Sequence, residues 1–132
     1  MSITAPNVGE ILLLKYMLNN TAPSDVNVHL YTNNVTPAET DVIGTYTEAT
    51  DPAYSAVSCP GASWTFATVG GVSSATHSDL NFSFSTTISI YGVYVTDSTD
   101  SSLLLTQRFD VAPLNYGSSG GNLDLEPEIT LE

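Results

Sequence analysis

Cys59, His29 and His77 have the residue types of a thiol nucleophile with an imidazole base. The local sequence Ser58-Cys59-Pro60 matches no nucleophile motif, and Pro60 suggests a loop, so a small packed or loop thiol is expected. His77-Ser78-Asp79 holds the three types of a hydrolase triad in a row. Triad members meet in space rather than in sequence, and no Gly-x-Ser-x-Gly elbow is present, so this segment reads as a turn. Asp97 and Asp100, among Ser and Thr, offer the oxygen ligands that Ca²⁺ takes. The EF-hand pattern is absent, and an ordinary solvated loop is expected. Asp124, Glu126, Glu128 and Glu132 recur at even spacings, which puts like charges on one strand face. A bridging cation or a basic partner would compensate them; the favoured reading is an edge strand guarded by its charges. Gly70-Gly71 and the 117–121 stretch lack the lysine of a phosphate loop. With no convergent set of titratable groups, no catalytic activity, cofactor or metal centre is expected.

The elements that would hold such groups are mostly strands. Ile88-Ser-Ile-Tyr-Gly-Val-Tyr-Val95 is β-branched and aromatic almost throughout, and both alternating faces are largely apolar. It reads as a central strand covered on both sides, with Ile88, Ile90, Gly92 and Tyr94 on one face. Gly92 marks a bulge or a close backbone approach. Residues 80–86 before it and 103–109 after it complete an expected antiparallel meander. One helix is expected over 7–20, with Asn7 as N-cap, Glu10 completing a capping box, and Asn19-Asn20 as the stop. Val8, Ile11, Leu12, Lys15, Tyr16 and Asn19 share one side, and Leu14, Met17 and Leu18 widen its apolar surface. Residues 1–6 read as an extended arm. Val26–Thr32 reads as a strand with Val26, Val28 and Leu30 inward and Tyr31 outward. A long loop follows, with short strands at Val42-Ile43 and Tyr54–Val57. Strands at Ser63–Val69 and Val72–His77 flank a Gly70-Gly71 hairpin turn, with Trp64 and Phe66 sharing a face. Asn122–Leu131 closes the chain, with Pro127 at an edge or bulge. The sum is one domain over 1–132, mainly β: a β-sandwich or jelly roll of roughly seven to nine strands over 25–132, with one N-terminal helix.

The totals narrow the function. Of the 132 residues only 12% are charged, Lys15 and Arg108 are the only cations, and the net charge is −12. Binding a phosphate backbone or an anionic membrane needs clustered Lys and Arg, so neither partner is expected. The 42% hydrophobic content is that of a globular chain. Cys59 is alone, so no internal disulfide forms. The N-terminus lacks a basic n-region, and Ile11–Leu14 is too short to span a bilayer, so a soluble protein is expected.

Several stretches together resemble a family of small tailed-bacteriophage virion proteins, of the head-decoration or cement and tail-fibre-like kind. The similar features are the Leu-rich helix Glu10–Leu18, Thr21-Ala22-Pro23, the strand ending His29-Leu-Tyr-Thr32, and Asp51-Pro-Ala-Tyr54. Trp64, the Phe82 and Phe84 strand, Tyr91-Gly-Val-Tyr94 with Asp97, and Leu123–Leu131 follow in the family's order. Thr86-Thr87 stands where the family has Trp-Gly, and Ser101-Ser102 where it has Gly-Gly. The resemblance implies a β-sandwich virion protein, commonly trimeric and without catalytic activity. The expected role is capsid decoration: a homotrimer on the outer capsid surface, bound to the major capsid protein. Candidate contacts are Ile3, Thr4 and Pro6 of the arm and Asn33, Asn34, Thr36 and Pro37 of the long loop. Leu13, Leu14, Met17 and Leu18 are the candidate trimer interface, because the helix has more apolar surface than one thin sandwich needs. The alternative is a tail-fibre or receptor-binding protein, with Tyr31, Tyr46 or Tyr54 stacking on host glycans.

Overall fold

The computed structural model describes residues 3–131. Its one helix is α1 (Asn7–Met17). The strands are β1 (Val26–Tyr31), β2 (Val57–Cys59), β3 (Trp64–Val69), β4 (Val72–His77), β5 (Leu80–Phe84) and β6 (Ile88–Ile90). β7 (Gly92–Asp97), β8 (Leu103–Arg108), β9 (Leu114–Tyr116), β10 (Gly121–Leu125) and β11 (Glu128–Leu131) complete them. The protein is therefore mainly β with one N-terminal helix, as expected. Strands pair antiparallel in the orders β2-β1-β7-β8, β10-β5, β11-β4-β3 and β6-β9. Val28 and Leu30 of the four-stranded sheet pack with Leu80, Phe82, Phe84 and Ile90 from the other strands, consistent with a β-sandwich. Among the described residues only one group has the four strands that each sheet of a jelly roll requires.

Three of the groups are one interrupted ribbon. β4, β5 and β6 run in succession, and β11, β10 and β9 oppose them in reverse. The register drifts by a single residue across the breaks, from Thr76↔Glu128 to Leu80↔Leu125, and from Phe84↔Gly121 to Ile88↔Tyr116. Pro127 makes the first break: it has no N–H for the ladder, though its carbonyl still accepts from the His77 N–H at 3.0 Å. The closing strand is thus two strands.

The central run also divides, and the expected meander does not form. β5 pairs with β10, while β7 lies between β1 and β8. The break is a bulge. The Tyr91 N–H donates to the Tyr31 carbonyl at 2.9 Å, and Gly92 also lies opposite Tyr31. A Cβ on Gly92 would lie 2.6 Å from the Tyr31 hydroxyl and closer still to the Gln107 carbonyl. The bulge shifts the alternation by one. Ile88 and Ile90 share the main core with Val93 and Val95, whereas Tyr94 joins a second cluster with Tyr31, Tyr46 and Leu103.

That second cluster corrects the reading of Tyr31, which is wholly buried. The loop after β1 folds back along the edge of β1: Thr32 N–H donates to Thr47 O at 2.8 Å, and Ala49 N–H to Leu30 O at 2.9 Å. Tyr46, brought down by this loop, packs its ring 4.9 Å from Tyr31 and 5.5 Å from Tyr94. Within the loop, Ile43–Thr45 is a 3₁₀ turn rather than a strand at Val42-Ile43. The expected strand at Tyr54–Val57 lies slightly later, as β2.

α1 starts one residue earlier than the cap reading placed it. Pro6 is the N-cap, with no side-chain cap bond, and the Asn7 N–H donates instead to Glu39 O at 2.8 Å. It ends at Met17, earlier than the expected bound at 20, but the Asn19-Asn20 stop signal holds: Asn19 sits at φ 55°, and the Asn19 and Asn20 N–H groups donate to Tyr16 O (3.1 Å) and Lys15 O (2.9 Å), a Schellman motif. α1 docks on β8 with Gly9 against the Leu104 carbonyl; Leu12 and Tyr16 are half-buried on the same side of the helix, and the Tyr16 hydroxyl reaches Asp97. Val8 and Ile11, expected on the same side as Leu12 and Tyr16, are exposed.

Candidate functional site

Two buried carboxylates organise the loops. Asp97 accepts from the Tyr16 hydroxyl, the Ser24 hydroxyl (2.6 Å), and the Thr99 (2.6 Å) and Asp100 (3.2 Å) N–H groups. Burial alone raises its pKa; the Ser24 and Tyr16 hydroxyls and the two N–H groups outweigh it and hold the carboxyl at about 2. Burial and this carboxylate push the Tyr16 phenol up to about 12. Asp100 accepts from the Ser102 N–H at 2.9 Å. The expected loop carboxylates are therefore placed in loop closure, with both Asp97 oxygens engaged by protein donors. Among the described residues no group of three or more His, Cys, Asp or Glu converges as a metal site.

Asp51 is the hub that sequence reasoning missed. It accepts from the N–H groups of Ala53, Ser85 and Thr86 and from the Ser85 and Thr86 hydroxyls, at 2.5 to 3.0 Å. Burial opposes the charge, yet these donors hold the carboxyl well below the usual carboxylate range. Its one sequence signal is Ser85-Thr86, two adjacent residues each with a hydroxyl and an N–H to donate.

The candidate nucleophile and bases stay apart. Cys59 is buried in the main core opposite Val26, and burial pushes its thiol pKa up. His29 bonds Glu48 (2.8 Å) and Thr96 (3.0 Å) and stacks on Tyr94 at 4.7 Å. His77 Nδ1 bonds the Ser78 carbonyl at 2.9 Å, and its ring meets Trp64 edge-on at 5.2 Å, leaving Nε2 buried without a partner. In the acidic row, Asp124 accepts from the Asn81 amide at 2.6 Å, so a neutral side chain serves it. Glu126 and Glu128 are exposed, and Glu132 lies outside the described residues.

The expected contact residues divide by exposure. The arm is not free: Thr4 bridges Thr106, and Pro6 is fully buried; Ile3 is exposed. Asn33 ties its own loop, donating to Thr45 O and accepting from Thr47 N–H, both at 2.8 Å. Asn34 Oδ1 accepts from Arg108 at 2.8 Å, while the same guanidinium holds Val35 O and lies over the Tyr91 ring. Thr36 is exposed and Pro37 half-buried. Of the glycan-stacking candidates, Tyr31 and Tyr46 are buried. The Tyr54 hydroxyl is taken by the Leu30 N–H (3.0 Å) and Glu48 (3.1 Å). Leu13, Leu14, Met17 and Leu18 all stand exposed, Met17 and Leu18 at 72%. Ile11, Leu14 and Leu18 form an exposed stripe at spacings of three and four, and Ile11 also lines a cleft with Val42, Ile43 and Leu103. A second apolar surface, on the β3–β4 hairpin, exposes Phe66 and Val69.

No model of a known protein family matches the chain, and no curated protein matches it.

Proposed function

We propose that the protein is a structural component of a tailed-phage virion: a homotrimer that decorates the outer capsid surface and binds the major capsid protein. The observation behind this reading is α1. With its C-cap Leu18 it presents six large apolar side chains to solvent, Val8, Ile11, Leu13, Leu14, Met17 and Leu18, on a chain of net charge −12. A continuous exposed apolar surface of this kind belongs to an interface. Helix packing about a threefold axis would bury it between protomers. Capsid contacts then fall to exposed loop residues such as Thr36, each weak and summed by avidity. The ordered motifs from Glu10 to Leu131 support the phage context. The glycan-binding alternative loses support, since Tyr31 and Tyr46 are buried.

Light scattering on the purified chain tests the oligomer, and co-sedimentation with undecorated capsids tests the partner. The expected mass is a multiple of three 14.0 kDa chains; in a Leu14→Asp/Leu18→Asp variant the threefold assembly is lost, and capsid binding with it. A monomeric wild type at micromolar concentration would overturn the trimer, and absence from the capsid pellet would overturn the role.

A further inference from the structure

We infer that β3 is a self-association edge, on which β3 of one copy pairs antiparallel with β3 of a second copy and fuses two three-stranded sheets. Every residue from Thr65 to Gly71 is exposed, Phe66 at 74% and Val69 at 78%. Phe66 lies opposite Ala75, and Ala75 opposite Ile129, so one face presents an apolar row. A shallow groove of about 420 Å³ runs along it.

β3 is the outer strand of its sheet. Proteins protect such edges with charge, proline, bulges or a covering segment. The β8 edge is covered by Thr4 and by Gly9 of α1. β11, the opposite edge of the same small sheet, has exposed Glu128 beside Pro127. Trp64-Thr-Phe-Ala-Thr-Val69 has no charge and no proline, and is rich in the aromatic and β-branched types that suit pairing.

Charge selects the occupant. At net charge −12, two copies repel over most of their surfaces. Residues 52–78 contain no Asp, Glu, Lys or Arg. On this hairpin two copies meet without opposing carboxylates, whereas a basic partner would find no anion there. An uncharged strand edge is complementary to itself, and a two-fold contact uses the same patch on both copies.

The turn sets the register. Gly70 and Gly71 have φ of 60° and 90°, and Val69 pairs with Val72 across them. The pair closing a two-residue turn of this kind is hydrogen-bonded, so alternation puts the N–H and C=O of Phe66 and Thr68 on the open side. Pairing centred on Phe66 engages them, with Phe66 facing Phe66 and Trp64 facing Thr68 of the second copy.

This contact does not involve α1 and does not depend on the virion reading. Single-cysteine chains, Phe66→Cys or Val69→Cys on a Cys59→Ser background, are treated with a short bis-maleimide and run on a denaturing gel. Both positions are exposed and outside the core, and because Cys59 lies within it, circular dichroism of the Cys59→Ser background against the wild type checks the fold before cross-linking. On the two-fold register the Val69 positions are roughly 20 Å apart, at about 3.4 Å per residue. The Phe66→Cys chain is expected to cross-link to a dimer, and the Val69→Cys chain at least about tenfold less. Thr68→Pro, which deletes an outward N–H, should abolish the dimer. The same pattern is expected with Leu14→Asp/Leu18→Asp added, which separates this contact from the helix. Equal cross-linking at both positions, none at Phe66→Cys, or indifference to Thr68→Pro would overturn the proposal.

Discussion

Replacing Asp97 by Asn tests the loop network in one step. The variant keeps the shape and one acceptor oxygen. That oxygen can still serve the fixed N–H groups of Thr99 and Asp100, while the new amide faces the Tyr16 and Ser24 hydroxyls, which rotate to accept. The charge-assisted part of four bonds is lost. The native carboxyl sits at about 2 against an ordinary 3.8; at about 1.36 kcal/mol per pH unit that gap is worth roughly 2 kcal/mol, or about 1–2 after allowance for nearby solvent. The sign follows from the depressed native pKa. The stabilisation is complete above the unfolded value near 3.8 and is lost as pH falls through about 2. Urea unfolding of both proteins at pH 7 should show the Asn variant weaker by about 1–2 kcal/mol. The difference should shrink steadily between pH 4 and pH 2, where Asp97 protonates in the wild type. Equal stabilities at pH 7, or a difference that stays constant down to pH 2, would mean that the Asp97 charge does not hold the loop.

Two further perturbations probe the core. Gly92→Ala forces a Cβ against the Gln107 carbonyl and the Tyr31 ring; the cost should be about 3 kcal/mol or more, a drop of roughly 10 °C in Tm by calorimetry, and an unchanged Tm would contradict the packing at the bulge. Cys59, fully buried with its thiol pKa raised, should fail to react with a thiol reagent at pH 8 until urea unfolds the chain. Immediate stoichiometric labelling of the native protein would show that Cys59 is not packed into the main core.

Much of the fold was legible because period and punctuation agree. The Leu80, Phe82 and Phe84 alternation, the Gly70-Gly71 turn and the Asn19 helix stop all follow from local rules. The failures share a cause: partners distant in sequence. Tyr31 alternates outward, and only the returning loop with Tyr46 buries it. The run from Ile88 to Val95 has no local mark of its division beyond Gly92, whose role depends on Tyr31 and Gln107. Asn7 looks like a helix cap, but its N–H goes to Glu39. Asp51 reads as a residue before proline, and its five donors lie mostly around Ser85 and Thr86. The exposed helix stripe was foreseen from its excess of Leu and Met. The uncovered hairpin was not, although the absence of charge from 52 to 78 was visible throughout.

A capsid-decoration protein is set apart from a tail protein by its copy number in the virion. Quantitative mass spectrometry of purified virions, counting this chain against the major capsid protein, addresses it directly. A stoichiometry near that of the capsid protein is the predicted result and directs structural work to the capsid threefold positions. A handful of copies per virion would contradict capsid decoration and move the protein to the tail.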